Sequence, residues 1–458
     1  MMLNKTGRRI GWLLLWLGIV PEMAAQAVSA EQNYASNSPG VAMVQTVFSA
    51  TVYVNKVVMN ERRFEQLVDS VKRLDSSGEM LSAPAKLDLV VKALYNNPTR
   101  YFSATTEYYR QKHRIYASGT GFFVTGDGFL VTNCHIIDRD SQFVRRKFIQ
   151  STFQEVTEAN IRSLENSWQM TLTDEQRMQL ANAYSVIYSQ VSSMIIFDLK
   201  REIYAQFRVD EDGKVVTRRM PAAVIIKGQP MPGKDVAILK VDSVQQMPTL
   251  ELTRDSLVRI GEPVLVYGYP EPVTSNTYLA RETSVEPSLT AGVVSAIKKS
   301  IGGWPVIQMD AVITHGSSGS PVCNNRGQVI GLATFGSIDQ TASNLASGFN
   351  FSIPSFMIRQ YLDSVEVQPA MSDATRSFNR GLDYFFRGFY NKALRRFEVV
   401  KKLNEHYPEL GYYLQESRKR IDAGQDKESM NRKTMFRMLA LLLVAGGVVV
   451  FYRWKSKK

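Results

Sequence analysis

The strongest constraint on the fold is a succession of short apolar, β-branched runs punctuated by glycine and proline. From Ser118 the chain reads SGTGFFVTGDGFLVTNCHII. After a gap it continues with MPAAVIIKG, KDVAILKV, EPVLVYGYP, AGVVSAI, PVIQMDAV, QVIGLATFG and FNFSIP. Runs of this length and composition, bounded by turn residues, read as strands. Gly126-Asp127-Gly128 between two of them is a hairpin signal. An earlier run, Val41 to Val57, has the same character. Many short strands with such turns specify an all-β sandwich or barrel. One β-domain is therefore expected over 41–364.

Two stretches break the pattern. Residues 60–112 contain FEQLVDSVKRL and AKLDLVVKALYNN, and residues 140–207 are long and polar. Their apolar spacing is helical, so both are expected as helical insertions. In the second, Thr173 followed by Gln176 forms a capping box opening a helix that runs to about Ser193. Residues 31–40 (EQNYASNSPG) read as a flexible leader. Beyond the β-domain, 371–425 is helical again. There Gly381, Tyr384, Gly388, Tyr390, Ala393 and Phe397 fall at the spacing of a tetratricopeptide repeat. A single repeat is short of the usual number, so it is expected to pack on the β-domain or to meet a partner protein.

The two ends carry most of the net charge of +12. Residues 31–431 hold 45 basic and 42 acidic residues, so the body is close to neutral. A nucleic-acid partner is therefore not expected. Basic residues before the apolar Ile10 to Val20 run, and AVSA up to Ala30, read as a secretory signal peptide over 1–30. Met435 to Tyr452 is apolar but for Arg437 and reaches about 27 Å as a helix, enough to span a bilayer. A basic tail, 453–458, follows. The expected arrangement is an exported body, tethered by one transmembrane helix with the tail in the cytosol. A bacterial periplasm or cell surface is the favoured setting. The two cysteines, Cys134 and Cys323, exclude a disulfide-built scaffold; whether they pair is open.

Three stretches carry chemistry. Thr132-Asn133-Cys134-His135 follows a strand, Lys234-Asp235-Val236-Ala237 opens one, and Gly316-Ser317-Ser318-Gly319-Ser320-Pro321 lies between two. A serine hydroxyl needs an imidazole to take its proton, and the imidazole needs an acid on its other nitrogen. Ser318 is the expected nucleophile, His135 the base and Asp235 the orienting acid. The backbone amides of Gly316 and Ser318 are the expected oxyanion hole. Each motif alone is weak, because tight turns, packed histidines and strand caps look the same. Their order within one β-domain gives them weight. Cys134 is a conceivable nucleophile, but on an extended chain its side chain points away from that of His135. No metal site or cofactor is expected, since the four histidines are scattered.

With these residues in place, the chain resembles trypsin-like serine proteases of the HtrA/Deg kind. SGTGFFV, VTNCHII, KDVAILKV, GEPVLVYGYP, IQMDAVITHGSSGSPV and GFNFSIP follow in that family's order. The resemblance implies a double β-barrel with the active site between the barrels, and the same triad and oxyanion amides. It also implies that the Asn350–Phe351–Ser352 strand lines the substrate channel; His315, where relatives carry proline, is read either as a substrate contact in that channel or as an exposed loop residue. The chain departs from the family in three ways. No PDZ domain fits between the β-domain and the repeat-like helices, His135 and Asp235 are 100 residues apart, and Ser320 and His315 stand where relatives carry glycine and proline. The implied function is an exported, membrane-anchored serine endopeptidase acting on unfolded or partner proteins of the cell envelope. The alternative is a dormant protease-like module that only binds peptides or partners.

Overall fold

A computed structural model describes residues 29–76, 81–190, 192–254, 258–280, 286–339, 344–428, 437–438, 440–444 and 446. The expected signal peptide lies outside the described residues except for Ser29 and Ala30. Most of the expected span at 435–452 lies outside them too. Among the described residues no helix is long and apolar enough to cross a membrane.

Seven strands make the first sheet. They are β1 (Val41–Met59), β2 (Phe102–Phe123), β3 (Phe129–Thr132), β4 (Met194–Glu211), β5 (Lys214–Pro221), β6 (Ala223–Lys227) and β7 (Ala237–Lys240). Their order is β5-β4-β1-β2-β3-β7-β6, with every pair antiparallel. The edge strands β5 and β6 are joined through Ala222 alone, so the sheet curls back on itself. Alternating residues such as Ala42, Val44, Phe123, Leu130, Ala205, Phe207 and Leu239 fill its inside. The Gly126–Gly128 turn joins β2 to β3, with the Val124 amide donating to the Phe129 carbonyl at 2.9 Å.

Six strands make the second unit: β8 (Pro263–Gly268), β9 (Ser288–Lys299), β10 (Pro305–Met309), β11 (Pro321–Cys323), β12 (Val329–Asp339) and β13 (Asn344–Pro354). Here the ring closes fully, in the order β10-β13-β12-β11-β8-β9. The expectation of two barrels is thus corrected: one barrel is closed, and the other is a curled sheet. A third core joins them, with Val41, Phe122, Val131 and Ile238 of the sheet meeting Tyr267, Cys323, Leu332 and Ile353 of the barrel.

The insertions differ from expectation in one instructive way. The first holds helices Glu61–Ser76, Ala83–Asn96 and Pro98–Tyr101, and the second holds Ser141–Trp168 and Asp174–Gln190. Residues 102–112 and 194–207, expected within the helical insertions, are instead strand. They extend β2 and β4 alongside β1 as a three-stranded ribbon. At the ribbon's end the two insertions merge over one core that includes Val54, Val91, Leu94, Phe102, Ile161, Leu180 and Ile187. Phe64 of the first insertion stacks on Trp168 of the second, with centroids 5.7 Å apart and planes 2° from parallel. The capping box forms: the Thr173 amide donates to Gln176 Oε1 and the Gln176 amide to Thr173 Oγ1.

Residues 31–40, read as a flexible leader, are ordered. Helix Ala30–Asn37 is capped by Ser29 Oγ. Asn33 donates to the Asn325 carbonyl, and the Tyr34 hydroxyl donates to the Pro287 carbonyl at 2.8 Å. Ala35 packs on the C-terminal helices, Asp373–Phe386, Tyr390–Leu403 and Leu410–Asp422. The first two pack against each other as a helical hairpin. A side chain at Gly381 would meet the Phe397 ring at 2.5 Å, so only glycine lets these helices approach so closely. The segment docks on the β-domain through Thr375, which accepts from the Thr249 amide, and Glu409, which pairs with Arg208 of β4 at 2.8 Å.

Candidate active site

His135 sits in the single-turn helix Cys134–Ile137, directly after β3. Asp235 lies just before β7, the strand paired with β3. The chain between them loops out and returns, so sheet pairing restores what the insertion separates. The His135 amide donates to Asp235 Oδ1 at 2.8 Å, and its ring Nδ1 lies 2.6 Å from Oδ2. A carboxylate only accepts, so Nδ1 carries the proton and Nε2 is left as the base. Asp235 is fully buried, whereas the His135 side chain is about a quarter exposed. The Thr334 hydroxyl donates to Asp235 Oδ2 at 2.8 Å, and Asn133 Nδ2 donates to the Asp235 backbone carbonyl at 2.7 Å. These contacts fix both ends of the acid, and through it the imidazole plane.

Ser318 lies on the loop between β10 and β11, on the barrel side of the cleft. Gly316 and Gly319 frame it with φ of +88° and +86°, values that disfavour any side chain. A Cβ at Gly319 would also fall 1.9 Å from the Thr120 carbonyl. Thr120 clamps the loop: its amide donates to the Ser318 carbonyl at 2.7 Å and its hydroxyl to the Gly316 carbonyl at 2.8 Å. The Glu271 amide donates to the His315 carbonyl at 2.6 Å. In a trans peptide the next N–H points the opposite way, so this bond also aims the Gly316 amide. Among the described residues, the Gly316 and Ser318 amides donate to no protein acceptor, as an oxyanion hole requires.

Ser320 is tolerated because its φ is not positive, unlike that of Gly319 before it. Its buried hydroxyl lies against Gly268, where a Cβ would come within 2.1 Å of it. The Ser318 hydroxyl donates to the Thr334 carbonyl at 3.2 Å. No hydrogen bond joins it to His135 among the described residues. Both side chains line one cleft of about 570 Å³, together with Asp235, Thr334, Gly316 and His315.

The strand Asn350–Ser352, expected along the substrate channel, does not line this cleft. Asn350 and Ser352 share one face of β13 and are buried inside the barrel, and Asn350 Nδ2 donates to the Ala311 carbonyl at 2.8 Å. Phe351, on the other face, packs on the core between sheet and barrel. The neighbouring strand β12 reaches the cleft instead, through Thr334. Cys134 and Cys323 are unpaired and buried. The Cys134 thiol donates to the Gly228 carbonyl, away from the cleft, and burial pushes its pKa up to about 11. It is therefore no thiolate near neutral pH. Thr334, Thr120 and Glu271 were not picked out from sequence: a threonine in a strand and an acid in a loop carry no motif.

Residues 119–332 match the model of the trypsin-like peptidase domain. That stretch, a little under half of the chain, is similar to trypsin-like peptidases. Mouse serine protease HTRA4 is 34% identical over 138 residues, 28% of this chain and 24% of that protein. The probable periplasmic serine endoprotease DegP-like of Rhizobium meliloti is 28% identical over 159 residues, 31% and 29% of the two chains. The chain thus spans about a quarter of the length of the curated relatives it matches. Among solved structures, the HtrA-type protease AlgW with decapeptide aligns with a TM-score of 0.38 and 18% identity, over 74% of this chain and 67% of that one. The matched stretch runs from the β2 segment that clamps the Ser318 loop into β12 and includes His135, Asp235, Gly316 and Ser318, whereas Thr334 lies just past its end. Its span also contains the second helical insertion.

Proposed function

We propose that the protein is a serine endopeptidase of the HtrA type that hydrolyses peptide bonds through Ser318, His135 and Asp235. The observation that carries this reading is the 2.6 Å His135–Asp235 contact in the cleft that also holds Ser318 and two unpartnered amides. For reaction, the Ser318 hydroxyl leaves the Thr334 carbonyl and turns to His135 Nε2. His135 takes its proton as Oγ attacks the substrate carbonyl, and the amides of Gly316 and Ser318 hold the oxyanion. The imidazolium, oriented by Asp235, returns the proton to the leaving amine. Water then repeats the sequence on the acyl-enzyme and frees Ser318. Losing one oxyanion donor costs about 3–4 kcal/mol in such sites.

The substrates are unfolded or partner proteins, which present extended segments to an open cleft. The basic, apolar ends of the sequence support export and a tether at 435–452, with the body outside the cytoplasm. The helical segment at 371–425 has its β-domain face occupied and leaves its outer face for a partner. The test is hydrolysis of an unfolded protein by the full chain. Turnover that disappears in Ser318→Ala supports the proposal, and equal turnover in that variant rejects it.

The bond from Ser318 to the Thr334 carbonyl favours a second reading, a dormant module that binds peptides without cleaving them. Peptide binding by the full chain with no hydrolysis of any bound segment would establish it.

A further inference from the structure

The residues between His135 and the second insertion make one wall of the cleft. Asp138 and Asp140 in this stretch are both tied down. The Asp138 carboxylate accepts from Arg201 at 3.1 Å and from Lys227. Asp140 caps helix Ser141–Trp168 by accepting from the Gln142 amide at 3.1 Å. Arg139, held between two pinned neighbours, faces the cleft. Among the described residues it has no ion pair, and its Nε is buried without a hydrogen-bond partner. Its guanidinium lies 5.8 Å from the centre of the Phe143 ring, and the Lys147 ammonium lies 5.9 Å from the same ring. Both Phe143 and Lys147 also line the cleft, so two cations share one wall.

The carboxylates that face Arg139 are Asp235 and Glu271. Asp235 is already occupied by His135 and Thr334, and Glu271 stands beyond ion-pair distance. Burial holds the guanidinium below its usual range, though an arginine stays charged at any working pH. A cation withdrawn from water without a partner is costly, and a matching carboxylate recovers that cost. Arginine is also suited to grip a carboxylate with two parallel bonds.

We infer that Arg139 determines specificity, selecting peptides with an aspartate or glutamate close to the scissile bond. The inference rests on the peptidase reading and names the substrate class of that same cleft. Lys147 adds to the field on the same wall, and Phe143 supplies the apolar surface along which the acidic side chain lies.

The experiment uses the full chain and fluorogenic peptides with Asp exchanged for Asn at each of three positions on either side of the cleaved bond. The readout is the ratio of kcat/KM for the Asp and Asn peptides. A half-exposed charge pair predicts a ratio on the order of tenfold at one position. That ratio falls toward one in Arg139→Gln, and in Arg139→Glu the preference passes to a Lys peptide over its Gln counterpart. In the wild type it also shrinks as salt rises from about 0.02 to 0.5 M, which carries the test if the variants fail to fold. A flat ratio at every position, or one unchanged in Arg139→Gln, overturns the inference. Fluorophosphonate labelling run alongside tells the two failures apart. Labelled enzyme with a flat ratio rejects only the role of Arg139, whereas unlabelled enzyme that cleaves no peptide rejects the peptidase reading and this inference with it.

Discussion

Three hydrogen bonds converge on the Asp235 carboxylate, two from His135 and one from Thr334. Thr334 is a positioning residue in this scheme. Its side chain fixes the acid, and its carbonyl holds the resting Ser318 hydroxyl. Thr334→Val keeps the shape and removes the hydroxyl. A hydrogen bond to a charged group contributes about 1.5–3 kcal/mol, so kcat is expected to fall about 10- to 100-fold with KM little changed. Thr334→Ser should restore it, and steady-state kinetics of the three forms are the check. At this scale the sequence was most readable where chemistry restricts the residue type. His135, Asp235 and Ser318 stand out by order and setting. Thr334 and Arg139 do not, because their roles come from neighbours far along the chain. Asn350 and Ser352 were misplaced because alternation along β13 turns both into the barrel, which no local pattern reveals.

The insertions show what periodicity does and does not carry. The helices Glu61–Ser76, Ala83–Asn96 and Asp174–Gln190 were legible from apolar spacing and caps. The ribbon segments 102–112 and 194–207 were not: Ile195, Phe197 and Leu199 stand exposed, and Ile196 is covered by Val144 and Phe148 some fifty residues earlier, so the strand alternation is broken locally and completed only by distant partners. Within the helical unit, Arg177 bridges Glu158 and Glu165 at 2.7 Å each. Glu165 is held below the ordinary carboxylate range first by the Arg177 hydrogen bond and then by the Leu172 amide. Glu158 is lowered first by Arg162, then also by Arg177. A carboxylate whose folded pKa is depressed stabilises the fold above its unfolded value, near 4.3 for glutamate, and loses this as pH falls through the folded value. Protection of 141–190 against hydrogen exchange should therefore weaken from about pH 5 to pH 3. In Arg177→Ala the protection should be lower at pH 6 and its fall with pH shallower.

Across the whole molecule, the N-terminal helix, the curled sheet and the C-terminal helices form one joined body. Arg208 of β4 is almost fully buried and binds both Glu409 and Ser38 Oγ. Asp210 of the same strand accepts from the Gly411 amide at 2.8 Å. Removing one partner of a buried pair strands the other charge. Glu409→Ala is therefore expected to cost about 3–5 kcal/mol and to lower the melting temperature of the whole chain. A change confined to 371–425, with the β-domain melting as before, would show that the segment is docked without being coupled. This joining was hidden in the sequence because the N-terminal helix is short, polar and without apolar spacing; tertiary contacts from Asn33, Tyr34 and Ala35 hold it. The β-domain itself was legible because most of its strands are short apolar runs bounded by glycine or proline. The central claim, that this domain assembles Ser318 and His135 into a working nucleophile, is tested most directly by fluorophosphonate labelling of the full chain beside Ser318→Ala and His135→Ala. The account predicts a labelled wild type and two unlabelled variants. Label persisting in Ser318→Ala, or absent from the wild type, would contradict it.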